Sequence, residues 1–236
     1  MLQRTGLGVA LLLVIGLVAG LVTAFSGGSS KPAAAPAARC TYTKSTAGTV
    51  KPVSLPPSAP DREAAYIATI TTNLGPVTIS LANSKAPCTV NSFVHLASAR
   101  FWNNTQCHRV SDSGGLYMLQ CGDPTATASQ KLSCSSATIG TGGPGYTFAD
   151  ENLKGAAYPA GTVAMANSGQ NTNGSQFFLV FAQTSLPASY TPFGTITSGR
   201  DILQNVAKAG TSCSYSAGGG VPREKIYIKS VAIRRT

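Results

Sequence analysis

The sequence predicts a mainly β domain carrying two α-helices, built as a barrel or a sandwich. Three observations predict it. Short segments that alternate apolar and polar residues with a period of two recur from Tyr66 onward. Gly- and Pro-rich stretches separate them. Only two segments carry an apolar stripe at helical spacing. Pattern alone does not separate the two β architectures.

The elements follow in order. Tyr66–Thr72 alternates and is rich in β-branched residues, Asn73-Leu74-Gly75 turns the chain, and Val77–Leu81 alternates back, which is a hairpin signal. From Ala86 to Leu96, Pro87 fits a first helical turn, and Val90, Phe93, Val94 and Leu96 form a stripe. Short strands are expected around Cys107–Val110, Leu116–Gln120, Thr162–Ala166, Phe177–Phe181 and Thr191–Thr197. Asp201–Lys208 reads as the second helix, stopped by Gly210. Ile226–Ile233 alternates again and is expected to be the closing strand.

Composition divides the chain into three regions. Over 236 residues, 18 Lys+Arg face 8 Asp+Glu, for a net charge of +10, yet only 11 % of residues are charged, against about 25 % in an ordinary soluble domain. A hydrophobic fraction of 43 % excludes a disordered chain. Residues Gly6–Phe25 are free of charge, and as a helix they would rise about 30 Å, the depth of a bilayer core. A signal-anchor helix is therefore expected over residues 1–25, with Val22-Thr23-Ala24 leaving a cleaved signal peptide as the alternative. Arg4 before the run places the rest of the chain outside the cytoplasm by the positive-inside rule. Residues 26–65 read as a Pro/Ala/Ser-rich extracytoplasmic linker, in which Cys40-Thr41-Tyr42 is the one spot suited to docking. Residues 66–236 are long enough for one domain with a real core.

Two segments carry chemistry: His108-Arg109-Val110 followed by Leu116-Tyr117-Met118-Leu119-Gln120-Cys121-Gly122-Asp123, and Met165-Ala166-Asn167-Ser168-Gly169-Gln170-Asn171-Thr172-Asn173-Gly174-Ser175-Gln176-Phe177-Phe178. In register from Tyr66 to Ile233, these resemble the cyclophilin family of peptidyl-prolyl cis-trans isomerases. The resemblance implies a closed eight-stranded antiparallel β-barrel capped by two α-helices, a groove on the outside of the barrel wall, and no cofactor. It also implies Pro-containing polypeptides as substrates and a monomer as the working unit.

The residues suit that chemistry on their own terms. Rotating an X-Pro bond means losing amide resonance, a barrier of about 18–20 kcal/mol. No bond breaks, so neither nucleophile nor acid–base pair is required. An apolar slot for the proline ring and a donor near the prolyl nitrogen stabilise the twisted amide selectively. Arg109 matches the family's catalytic arginine and stays charged at any relevant pH. Tyr117, Met118, Phe178 and Leu186 match the positions that line the proline pocket. Gln120, Asn167 and Gln176 match those that bind substrate backbone or orient the arginine, and Ala166 and Thr172 match the groove floor and rim.

The chain departs from the family at several positions. Ser185 stands where a tryptophan is common, and Tyr190 where a histidine is common, which leaves Tyr190 as a further wall for the pocket. Tyr117 replaces the usual phenylalanine, and two extra residues in Ser111–Gly115 lengthen the loop beside Arg109. His95 and His108 have too few converging partners for a metal, so none is expected; His108 should point to the opposite face from Arg109. Cys40, Cys88, Cys107, Cys121, Cys134 and Cys213 are an even count behind an export signal, which favours disulfides over free thiols. A Cys40–Cys88 bond would tie the linker to the domain. Cys134 and Cys213 sit in loops longer than the family needs, which suits a pair. Cys107 and Cys121 bracket a hairpin, but strand parity turns them to different faces unless a bulge intervenes.

Three functions compete. One is an exported, membrane-tethered prolyl isomerase acting on unfolded or newly translocated proteins. Another is an extracytoplasmic chaperone that holds Pro-containing segments with little catalysis. The third is an envelope interaction protein that uses its basic surface, to which Arg223, Lys225, Lys229, Arg234 and Arg235 contribute, against anionic lipid or wall polymer. Nucleic acid is not expected as a partner, because no aromatic-basic stacking platform is present. With Ser185 in place of the indole donor, cyclosporin A should inhibit this chain much more weakly than typical eukaryotic members. Titration of the purified protein checks this, and nanomolar inhibition contradicts it.

Overall fold

A computed structural model describes residues 39–48 and 51–236. The apolar run Gly6–Phe25 and the first part of the linker lie outside the described residues. Among the described residues, no helix is long and apolar enough to cross a membrane.

The chain forms β1 (Tyr42–Lys44), β2 (Tyr66–Thr72), β3 (Gly75–Leu81), α1 (Pro87–Ser98), β4 (Thr105–Gln106), β5 (Arg109–Ser113), β6 (Leu116–Cys121) and β7 (Tyr146–Phe148). There follow β8 (Thr162–Met165), β9 (Phe177–Val180), β10 (Pro192–Ser198), α2 (Arg200–Lys208), β11 (Thr211–Ser214), β12 (Gly220–Pro222) and β13 (Tyr227–Arg235). The mainly β reading with two helices holds, and β2, β3, β6 and β8–β10 lie within a few residues of their expected places. Strands β1, β7, β11 and β12 carry no alternation that would announce them. They are short, and pairing makes them strands: β1 with β7 and β12 with β5 far along the chain, β11 with the adjacent β12.

All the strand pairs are antiparallel. Apart from the β1–β7 pair, they form one ladder in the order β11-β12-β5-β6-β9-β8-β10-β3-β2-β13-β4. This differs from the expected closed eight-stranded barrel, because no pairing joins the two edges among the described residues. Eight strands run from β5 to β13. Strand β4 pairs with β13 and continues into β5 after only Cys107 and His108. The chain itself therefore links the two ends of the eight and bends the sheet round on itself.

The break at Cys107–His108 also revises the cysteine parity. The strand read as one element is two, so alternation does not carry across it, and Cys107 and Cys121 are disulfide-bonded. Cys40–Cys88 and Cys134–Cys213 are bonded as well. The Ser111–Gly115 segment is mostly strand, not a loop beside Arg109. Its turn contracts to Gly114 and Gly115 at φ 62° and 80°, which suits the tight hairpin turns that need left-handed backbone at both central residues.

The main core packs the buried face of α1 against the sheet. Trp102, Phe93, Phe177 and Phe193 pack ring against ring there, with centroid separations of 4.6–5.7 Å, and Trp102 donates its indole N–H to Ser175 O at 3.1 Å. Helix α1 has Pro at its start and no side-chain cap of its own. The Glu151 carboxylate caps it instead, accepting from Cys88 N at 3.1 Å and Thr89 N at 2.8 Å.

Described residues of the stretch read as linker pack on this body, among them Cys40, Tyr42 and Val53. Tyr42 is buried, pairs with Phe148 across β1–β7, and donates its hydroxyl to Cys88 O at 2.8 Å. The Cys40–Cys88 bond closes a loop over a sequence separation of 48, worth about 4 kcal/mol on the chain-entropy account. Replacing both cysteines by serine should lower Tm by on the order of 10 °C while leaving the β-sheet circular dichroism intact. Calorimetry checks it, and an unchanged Tm would show that β1 pairing alone holds the arm.

Candidate functional site

The site is set by register. Across β5, β6, β9 and β8, Arg109 faces Gln120, Gln120 faces Phe178, and Phe178 faces Ala164. Paired residues share a face of the sheet, and neighbours in sequence take opposite faces. Val110, Leu119, Leu179 and Val163 accordingly enter the main core. Met118, Phe178, Val180 and Ala164 form a second apolar cluster on the outer face. Strand spacing places Arg109 and Phe178 about 10 Å apart across that face.

Leu186, Tyr190 and Ala166 pack against this outer cluster. The Tyr190 ring meets Phe178 edge-on at 5.6 Å. Tyr117 does not join them. It lies on the opposite side of β6 from Met118, packs against the main core, and stacks edge-on with Phe181 at 6.4 Å. Tyr158, which the sequence reading missed, is fully buried in the cluster. Its hydroxyl donates to Tyr190 O at 2.8 Å and accepts from Tyr190 N at 3.0 Å, so it holds the pocket's outer loop. A lone aromatic between Gly155 and Gly161 was the only signal for it.

A polar chain runs beside the apolar patch. Arg109 Nη1 donates to Gln120 Oε1 at 3.4 Å. Gln120 Nε2 donates to Gln176 Oε1 at 3.0 Å, and Gln176 Nε2 donates to Gly140 O and Gly142 O, both at 2.9 Å. Arg109 also donates Nε–H to Gly218 O at 2.9 Å and Nη2–H to Ala217 O at 2.7 Å. These loop partners were invisible in the sequence, since the acceptors are backbone carbonyls about 110 residues away. Burial draws the guanidinium below its usual pKa, with Tyr190 and Tyr215 acting in the opposite sense, but an arginine in this setting remains a cation.

Next to the patch, a cavity of about 530 Å³ is lined by Gln120, Ala166, Asn167, Thr172 and Gln176, and on its far wall by the arm residue Ser45. Arg109 and Phe178 do not line it; cavity and apolar patch meet at Ala166, and Gln120 joins the cavity to the polar chain. Asn167 donates to Ser189 O at 2.8 Å, and Thr172 accepts from Ser168 N at 2.9 Å, so both brace the rim. Ser185, at the tryptophan-like position, is exposed, and its N–H donates to Gly115 O at 2.7 Å.

His108, beside Arg109, is buried, and its Nδ1 has no hydrogen-bond partner. Burial pushes its pKa from 6.5 down to about 4, Asp123 opposing and Arg109 reinforcing the shift. The ring is therefore neutral in the fold at pH 7. Unfolded chain binds the proton first, so the contribution of His108 to stability is complete above pH 6.5 and is lost as pH falls toward 4. Denaturation series from pH 7 to pH 4 should show wild type losing more stability than a His108→Gln variant; equal losses would remove His108 as the cause.

Among the described residues, no group of three or more His, Cys, Asp or Glu side chains is placed to hold a metal ion. Residues 67–233 match the family described as cyclophilin type peptidyl-prolyl cis-trans isomerase/CLD. The chain is 42 % identical over 221 residues to the "Probable peptidyl-prolyl cis-trans isomerase B" of Mycobacterium tuberculosis, covering 86 % of this chain and 66 % of that one. It is 43 % identical over 212 residues to the protein of the same name from Mycobacterium leprae, covering 82 % and 66 %. The chain thus spans just under two thirds of the length of these curated relatives. Among solved structures, a cyclophilin type peptidyl-prolyl cis-trans isomerase of Cryptosporidium parvum superposes with a TM-score of 0.57 at 28 % identity, covering 72 % of this chain and 98 % of its own. The same isomerase in the presence of the dipeptide Ala-Pro superposes with a TM-score of 0.56 at 28 % identity, covering 71 % and 98 %. With the family's motifs laid in register along one outer sheet face, this chain belongs to the cyclophilin-type peptidyl-prolyl cis-trans isomerase family.

Proposed function

We propose that the domain accelerates cis-trans rotation of X-Pro bonds in unfolded or newly exported proteins. One observation carries the reading: Arg109, Gln120 and Phe178 occupy directly facing positions on three adjacent strands, so a cation, an amide and an apolar ring share one face of the sheet. The proline ring would lie on Phe178 and Met118, between Leu186 and Tyr190. Substrate backbone would run past Gln120 toward Asn167. Arg109 would donate to the prolyl nitrogen as it becomes pyramidal and loses conjugation. That interaction is weaker in the planar ground state, which is what lowers the barrier. Nothing is added to or removed from the substrate, and no cofactor enters the scheme.

The apolar run Gly6–Phe25 supports a membrane-tethered or exported domain, and three disulfides suit an oxidising compartment. Within the envelope reading, the C-terminal basic residues offer less free charge than their number suggests. Arg223 donates to Thr211 O, Lys225 to Ala128 O, and Arg235 pairs with Asp61 at 2.6 Å. Such an exposed pair contributes little to stability.

The test is isomerisation of a Xaa-Pro peptide by the purified full chain beside Arg109→Ala. The variant should lose on the order of 10²-fold in kcat/KM, the loss typical of removing a transition-state donor, with Tm unchanged. If wild type binds a Pro-containing peptide without accelerating its rotation, the chaperone reading replaces this one.

A further inference from the structure

The hairpin between β11 and β12 places its tip against Arg109, and nothing in the isomerase scheme so far uses it. Residues 215–219 make that tip. Tyr215 N donates to Gly219 O at 2.9 Å, and Gly218 N donates to Tyr215 O at 3.0 Å, which fixes the turn. The carbonyls of Ala217 and Gly218 then accept from Nη2 and Nε of Arg109 at 2.7 and 2.9 Å.

The tip is anchored from three sides. Gly220 pairs with Val110, the residue after Arg109, so the hairpin joins the edge of the same strand. The Tyr215 hydroxyl donates to His108 O at 3.2 Å, the residue before Arg109. Cys213 is bonded to Cys134, and both pack against Ala126, Leu132 and Val221. The tip thus grips the backbone on either side of Arg109 as well as its guanidinium.

We infer that this hairpin tip positions Arg109 for catalysis: two neutral carbonyls clamp the guanidinium at the edge of the groove while its charge stays unneutralised. A carboxylate would hold the side chain as firmly, but would cancel the field that the twisted amide needs. Carbonyl acceptors fix orientation without that cost. With Nη1 also bonded to Gln120, one N–H on each Nη remains for substrate. A free arginine would have to give up rotamer freedom in the transition state; a clamped one has given it up already. Ala217 and Gly218 are positioning residues, acting only through Arg109. The inference rests on the proposed role of Arg109.

Gly219 supplies the test. Its φ is +67°, and a Cβ there would meet Val110 O at 2.5 Å, so Gly219→Ala pushes the tip off β5. Gly114→Ala is the control: φ is +62° at the far hairpin turn, with nothing within 4 Å of a new Cβ. Cys134→Ser with Cys213→Ser loosens the same tip by another route, should Gly219→Ala fold poorly. Near-ultraviolet circular dichroism and Tm report folding of every variant. In the full chain, Gly219→Ala and the double serine variant should each lower kcat about tenfold with KM within about twofold, the pattern of a misplaced catalytic group. Gly114→Ala should leave kcat unchanged. In the Arg109→Ala background, neither loosening should lower the residual rate further. Equal fold losses in both backgrounds, or a faster enzyme when the tip is displaced, would overturn the clamp alone. A wild-type rate in Arg109→Ala would overturn the role of Arg109 and the clamp with it.

Discussion

The register of β5, β6, β9 and β8 is the constraint on which the rest depends. Because side chains alternate with a period of two, one set of pairings assigns every residue of four strands to a face. Leu119, Leu179 and Val163 go to the core, and Met118, Phe178 and Ala164 go to the outer patch. Slipping β6 by one residue would send Gln120 and Met118 into the core and Leu119 to solvent. Core and groove are therefore specified together, and the core's demand for apolar side chains holds the groove's geometry in place. Strand β9 shows the consequence plainly, since all four of its residues are buried and both of its faces are apolar.

The groove's edges are held by polar side chains reaching in from elsewhere. Tyr158 holds the Pro187–Tyr190 loop through its hydroxyl. Gln176 ties the Gly140–Gly142 segment to Gln120. Asp123, fully buried, accepts from the N–H and the hydroxyl of Thr125 and from Gly140 N, and so fixes the start of that same segment. Buried polar groups of this kind contribute because each has partners; leaving one without would cost more than the bond itself contributes. The apolar slot is built by packing, whereas the polar rail beside it depends on satisfied hydrogen bonds.

The three disulfides each connect an unpatterned segment to this frame. Cys40–Cys88 ties the arm to the start of α1, Cys107–Cys121 links the break between β4 and β5 to β6, and Cys134–Cys213 ties a long loop to β11. Cross-linking reduces the freedom these segments would otherwise have when unfolded.

The sequence by itself determined the mainly β class with two helices and most strand positions. Alternation and helical stripes are local, and His108-Arg109 through Gln176-Phe177-Phe178 can be read as a family pattern. It could not determine contacts made through backbone. Ala217 and Gly218 meet Arg109 through carbonyls that every residue possesses, so no side chain marks them. Nor could it locate β1, β7, β11 and β12, which are short and become strands by pairing, β1 with β7 and β12 with β5 across long stretches of chain, β11 with β12 across a turn. Tyr117 went to the core side and Cys107 escaped its expected parity for a related reason. Alternation assigns relative faces within one unbroken strand, and only the tertiary structure decides where a strand breaks and which face turns inward.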